Sequence, residues 1–371
     1  MTQIKDPWHY PRPALAQAYL SIFDMGLVSA KGLFARRRMG KTEFLKQDLL
    51  PRALAARYLT AYANLWENRA NPANALAEAV TAATAPKGIA KVLARLKRPV
   101  KKLKASGKVS GLGEGALEAE IGDDITPAGS VIAAALRAFD MSGRRLLLVL
   151  DEAQVLAGLE HADFAHALRA ALDVRKVTVK VIFAGSSEAT LRRMFARPSE
   201  PFYNWAALEP FDLLGRDFVE AMVGNVNSIS KYPLKIADAI KAFEELKSTP
   251  EFFRQFLARY VTHPALGARA ALAFAKDHVF SDDSFVSQWS SLLPADRELL
   301  RMLADGVHDL HGKSARSRLG TTLGLDGPAP LNTPAQGLKR LGAASIVTRF
   351  EHGRYRFEDE VFADWIRQQV D

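Results

Sequence analysis

The stretch LFARRRMGKTEFL, residues 33–45, sets three consecutive arginines, 36–38, one residue ahead of Gly40-Lys41-Thr42. A phosphate-binding loop needs backbone N–H groups that turn inward, a lysine that reaches the outer phosphates and a hydroxyl for Mg2+. Gly40, Lys41 and Thr42 supply the second half of the pattern G-x-x-x-x-G-K-[ST], while Ala35 stands at its first glycine. Alanine accepts most backbone conformations except those with positive φ, so Ala35 impairs such a loop only if φ there must be positive. The alternative is a basic surface turn ahead of a helix. A short apolar strand, Gly32 to Phe34, precedes the turn, and a helix is expected from about Lys41 to just before Pro51.

Further along, RRLLLVLDEAQVL (144–156) is a continuous Leu/Val run, the mark of a strand buried on both faces of a parallel sheet. It puts Asp151 at the strand's C-terminal tip, where a Mg2+ shared with Thr42 would sit, with Glu152 beside it. Glu152 is then placed to orient and deprotonate an attacking water. The plainer reading is that both acids end a strand and cap the next helix. VTVKVIFAGSS (177–187) is another such strand, whose Ser186 or Ser187 can reach a γ-phosphate or the water, and RYLTAY (57–62) is a further strand. Helical patterns in ANALAEAVTAA, VIAAALRAF and FAHALRAAL separate the strands and predict an α/β fold, a doubly wound parallel sheet with right-handed crossovers.

After about Arg216 the strands give way to apolar-periodic helices until about residue 280, a small helical lid. The remainder predicts helices at PADRELLRMLA, KSARSRLG and NTPAQGLKRLG, the last opened by a capping box of Thr333, Pro334 and Gln336. A hairpin across Glu351-His352-Gly353 and a final helix complete the order of a winged helix. The expected division is 1–215, 216–285 and 286–371, with a basic insertion at about 87–125.

Among 371 residues there is no cysteine, which excludes disulfides, iron–sulfur clusters and thiolate zinc sites and suits a reducing compartment. His308, Asp309 and His311 lack a further ligand nearby and read as a solvated helix end rather than a metal site. No run approaches the ~18 apolar residues of a membrane span and the start has no signal-peptide pattern, so a cytoplasmic protein without a membrane partner is expected. The net charge is +9, and KGIAKVLARLKRPVKKLKASGK (87–108) carries nine Lys or Arg and no acid. Ile89, Val92, Leu93 and Leu96 recur there at helical spacing, so an amphipathic basic helix would face nucleic acid, an acidic protein or solvent. Residues 292–371 hold eleven basic and eleven acidic side chains. Lys339, Arg340, Arg349, Arg354 and Arg356 can therefore reach DNA phosphates only without a net positive field, and protein docking stands as the alternative.

Together ARRRMGKTEFL, LLLVLDEAQVL and VIFAGSSEATLRRMFARPSEPFYNWAALEPF resemble the archaeal-type P-loop ATPase family, AAA+-related STAND ATPases with a C-terminal winged helix. The resemblance covers nearly the whole chain. It is least at 87–125 and departs at Ala35 and at Ser248-Thr249-Pro250, where the family often has G-x-P. It implies ATP and Mg2+ as cofactors and a phosphate loop of Ala35, Arg38, Met39, Gly40, Lys41, Thr42 and Glu43. Mg2+ falls to Thr42 and Asp151, general base to Glu152 and sensor to Ser186. Arg192 or Arg193 would serve a neighbouring copy as a finger, and Arg254 on the lid the nucleotide of its own chain. The expected function is an ATP-driven switch that couples nucleotide state to DNA or a protein partner, with possible self-assembly. A nucleotide-bound scaffold that hydrolyses slowly or not at all is the alternative.

Overall fold

The computed structural model describes residues 6–68, 70–85, 128–280, 283–344, 346–351 and 353–368. The basic segment 87–125 and its expected amphipathic helix lie outside them, as does His352 of the hairpin turn.

Five parallel strands form the central sheet: β1 (Ala30–Phe34), β2 (Tyr58–Asn64), β3 (Arg145–Asp151), β4 (Val179–Gly185) and β5 (Ala207–Pro210). Their order is β2-β3-β4-β1-β5. The Leu/Val run of β3 is continuous because both faces are covered. Leu146, Leu148 and Leu150 pack into one core with α4 (Pro72–Thr84), α5 (Ala128–Asp140) and α6 (Ala162–Asp173). Leu147 and Val149 pack into the other, with α1 (Pro13–Asp24), α2 (Lys41–Phe44) and α3 (Leu50–Ala55). Each such fully buried Leu or Val contributes roughly 1.5–3 kcal/mol.

Two elements of this half escaped the sequence reading. Helix α1 buries Ala16, Tyr19, Leu20 and Phe23, a regular helical spacing. Strand β5 has four residues and no buried side chain, so it offers no apolar pattern.

The helix after the loop does not stop before Pro51. A π-turn at Leu45–Leu49 joins α2 to α3, and Pro51 sits within the first two positions of α3. Proline has no N–H to give to the preceding turn, and the widened π-turn shifts the hydrogen-bond ladder just where that donor is missing.

Helices α7 (Glu188–Ala196), α8 (Arg216–Ile229), α9 (Ile236–Glu245), α10 (Pro250–Thr262), α11 (Gly267–Phe280) and α12 (Asp283–Ser290) follow. Then come α13 (Pro294–Ala304), α14 (Lys313–Thr322), α15 (Asn332–Ala343), the antiparallel hairpin β6 (Val347–Glu351) and β7 (Arg354–Phe357), and α16 (Glu360–Gln368). Three helices, a hairpin and a last helix match the winged-helix order. The capping box is not formed: α15 begins at Asn332 with no side-chain cap, and Thr333 and Pro334 lie inside its first turn, where a missing N–H costs nothing. The core of α8–α11 is continuous with that of α12–α16, from Phe218 through Phe256 and Leu299 to Ile366. Trp8 and Tyr10 of the N-terminal segment pack against it.

Candidate nucleotide-binding site

Because β1, β3 and β4 are parallel neighbours, their C-terminal tips bring the loop at 35–40, Asp151 with Glu152, and Ser186 to one edge of the sheet. The loop turns into α2 through two residues with positive φ, Gly40 at 80° and Arg38 at 68°. Ala35 is not among them. Its N–H donates to the Gly185 carbonyl at 3.3 Å, and its methyl lies in the core with Leu33 and Phe44.

Lys41 is 6% exposed and points at the tip of β3, its Nζ 3.5 Å from Asp151 Oδ1 and 3.9 Å from Glu152 Oε1. Thr42 Oγ1 donates to Asp151 Oδ2 at 2.7 Å, and Tyr62 OH donates to the same oxygen at 2.8 Å. Burial first, and then the Asp151 charge and this hydrogen bond, push the Tyr62 phenol above its ordinary range, so it stays a donor. An ammonium buried against two carboxylates is a cation held where anions are wanted, and a hydroxyl and a carboxylate side by side are the oxygen donors a hard divalent cation takes.

Glu152 occupies the left-handed region, φ 54° and ψ 41°, a strained conformation for a side-chain-bearing residue. Its carboxylate is held: Ser186 Oγ donates to Oε2 at 2.9 Å, and Gln154 Nε2 donates to the same oxygen and, at 3.2 Å, to Ser186 Oγ. Gln154 gets there only because residue 185 is glycine. A Cβ at that position would stand 2.2 Å from Gln154 Oε1. Ser187 caps α7 by accepting from the Thr190 N–H and donates to Glu358 Oε1 at 3.2 Å, so Ser186 is the serine that faces the acids.

Above these groups lies a cavity of about 840 Å³ between the sheet edge and α10. Arg38, Met39, Gly40, Lys41, Thr42, Glu43, Glu152, Ser186 and Arg254 all border it, while Asp151 is buried behind Thr42 and is not part of the lining. Ala35 is absent from the lining, and Arg254 is paired with Asp6 at 2.8 Å. Neither finger candidate lines this cavity. Arg192 pairs with Glu188 at 2.7 Å within its own helix, and Arg193 donates to the Ala157 carbonyl at 3.1 Å and borders a second cavity of about 740 Å³ beneath the C-terminal helices.

Sequence reasoning missed Tyr62, Gln154, Trp66 and the aromatic wall of Trp8 and Tyr10 with Leu214 and Phe218. The aromatic run WHY before Pro11 was a signal for the wall, and the glutamine two residues beyond Glu152 was one for the third partner of the acids.

The site and sheet define the chain as having the P-loop NTPase fold. Among solved structures it is similar to the Walker-type ATPase of Pyrococcus abyssi, at 17% identity over 98% of this chain and 100% of that one, with a TM-score of 0.60. It is also similar to the ORC2 protein of Aeropyrum pernix in its ADP form, at 14% identity over 96% and 93%, with a TM-score of 0.55. At these identities the likeness is one of fold. No family model and no curated protein matches the chain.

Proposed function

We propose that the chain binds ATP with Mg2+ in the cavity between sheet and lid and hydrolyses it, as a switch of the AAA+/STAND kind. The observation that carries this is the buried Lys41 ammonium set between Asp151 and Glu152, with Thr42 hydrogen-bonded to Asp151. In this reading Lys41 binds the outer phosphates, the backbone from Arg38 to Glu43 wraps them, and the wall of Trp8, Tyr10, Leu214 and Phe218 takes the base. Thr42 and Asp151 would hold Mg2+, which when bound neutralises phosphate charge. Glu152 accepts a proton from the attacking water, and Ser186 positions that water or the γ-phosphate. Arg254, freed from Asp6, turns to the nucleotide, and Arg192, exposed on α7, is the residue open to a neighbouring copy. Residues 1–215, 216–285 and 286–371 act as ATPase core, lid and winged helix, and the winged helix and the basic segment 87–108 contact DNA or a protein partner.

Lys41→Ala is expected to abolish ATP binding, and Glu152→Gln to keep binding while stopping phosphate release. Phosphate release unchanged in both variants would remove the proposal. A slower reading, nucleotide held with little turnover, is favoured by the two hydrogen bonds that occupy Glu152. A wild-type rate equal to that of Glu152→Gln would select it.

A further inference from the structure

In a parallel sheet every loop that leads into a strand lies at the same edge, opposite the loops that carry the candidate site. At that edge stand Met25 and Leu27 before β1, Leu54 in the last turn of α3 before β2, Met141 before β3, and Val174 and Val177 before β4. All six are exposed, Met141 at 89%, Val177 at 82% and Val174 at 80%. Among the described residues up to 215 they are six of the nine exposed large hydrophobic side chains, so the apolar exposure described for this half is concentrated on one edge.

Contacts join the four loops into one surface. Asp24, at the end of α1, accepts from Tyr58 OH at 2.7 Å and from Arg145 Nη1 at 2.6 Å, and Arg175 pairs with Asp140 at 2.6 Å. The acids of the edge are thereby taken: Asp24 by Arg145, Asp140 by Arg175, and Asp173 by Lys176 at 2.9 Å. Arg52, Arg57 and Arg144 are left as exposed cations around the apolar tips, with no carboxylate partner among the described residues.

We propose that this edge is a docking surface for an anionic lipid bilayer, on which the protein sits peripherally. Two features favour a bilayer over a protein. The apolar side chains stand on four separate connections rather than in one groove, and a fluid surface can close around each of them. The cationic excess matches anionic headgroups, which attract near-surface Lys and Arg. Such docking needs no spanning helix, and no helix among the described residues is long and apolar enough to cross a membrane. It departs from the expectation of no membrane partner, which rested on the missing span and the missing signal-peptide pattern.

The test is co-sedimentation of the full chain with phosphatidylcholine vesicles containing about one third phosphatidylserine, against pure phosphatidylcholine. Salt-sensitive binding to the anionic vesicles alone is expected. Met141→Ser with Val177→Ser should lower partitioning about tenfold, as should Arg57→Gln with Arg144→Gln, with thermal midpoint and ATP binding unchanged. Absence of the full chain from the anionic pellet overturns the proposal, as does a serine pair that pellets like the wild type, because another segment then carries the binding. Binding to duplex DNA or an acidic polypeptide that the serine pair weakens, without vesicle binding, overturns it in favour of a macromolecular partner.

Discussion

Ala35 stands where the phosphate-loop pattern has glycine, yet the demand for a left-handed backbone falls three residues later, on Arg38 with φ 68°. A left-handed non-glycine residue costs about 1–2 kcal/mol, so the strain lies in the arginine run and the methyl of Ala35 packs freely in the core. Ala35→Gly is therefore expected to lower stability by about 1 kcal/mol, through lost packing and a freer unfolded chain, without tightening nucleotide binding. Denaturant unfolding and titration with a fluorescent ATP analogue would check both. A tenfold gain in affinity would mean that the methyl group obstructs the loop after all.

At the scale of elements, the tips of β3 and β4 form one unit, because Gln154 beyond β3 reaches across Gly185 to Ser186 and Glu152. In Gly185→Ala the new Cβ would meet Gln154 Oε1 at 2.2 Å and Leu191 Cδ1 at 2.8 Å. The expected cost is about 1–3 kcal/mol, with phosphate release falling further than ATP affinity. Equal losses in both would locate the damage in the loop rather than at Glu152. The strands themselves were legible, since burial on two faces makes β3 a Leu/Val run that ends at Asp151 and β4 an apolar run, broken only by Lys180, that ends at Gly185. Helix α1 went unread, although the spacing of Ala16, Tyr19, Leu20 and Phe23 carries a helical signal. Strand β5 was not legible, because edge pairing to β1 is made by backbone groups that any sequence supplies. The hydrogen bond of Tyr62 and the reach of Gln154 depend on which strand tips become neighbours, and strand order leaves no local trace.

On the scale of the whole molecule, the α/β half and the helical half meet along a seam crossed by ion pairs. Arg38 of the loop at 35–40 lies 3.6 Å from Glu251 on α10 and 3.8 Å from Asp359 before α16. Arg356 pairs with Glu188, Ser187 donates to Glu358, and Lys247 approaches Asp364 at 3.0 Å within the helical half. Exposed pairs of this kind contribute about 0–1 kcal/mol each, so Glu358→Gln with Asp359→Asn is expected to leave the thermal midpoint nearly unchanged while amide exchange in α7 and α16 speeds by up to about tenfold. Exchange unchanged there would mean that apolar contact alone closes the seam. The helical half cannot shear internally without breaking its single core, so it turns as one body. Two stretches of chain join it to the sheet, residues 10–12 and 211–215, and Arg12 stitches them side by side through the Asp212 carbonyl at 2.7 Å and the Phe211 ring at 4.2 Å. Two straps stitched side by side make a door hinge, and the cavities of about 840 and 740 Å³ lie between door and frame. Whatever fills one of them sets the width of the other.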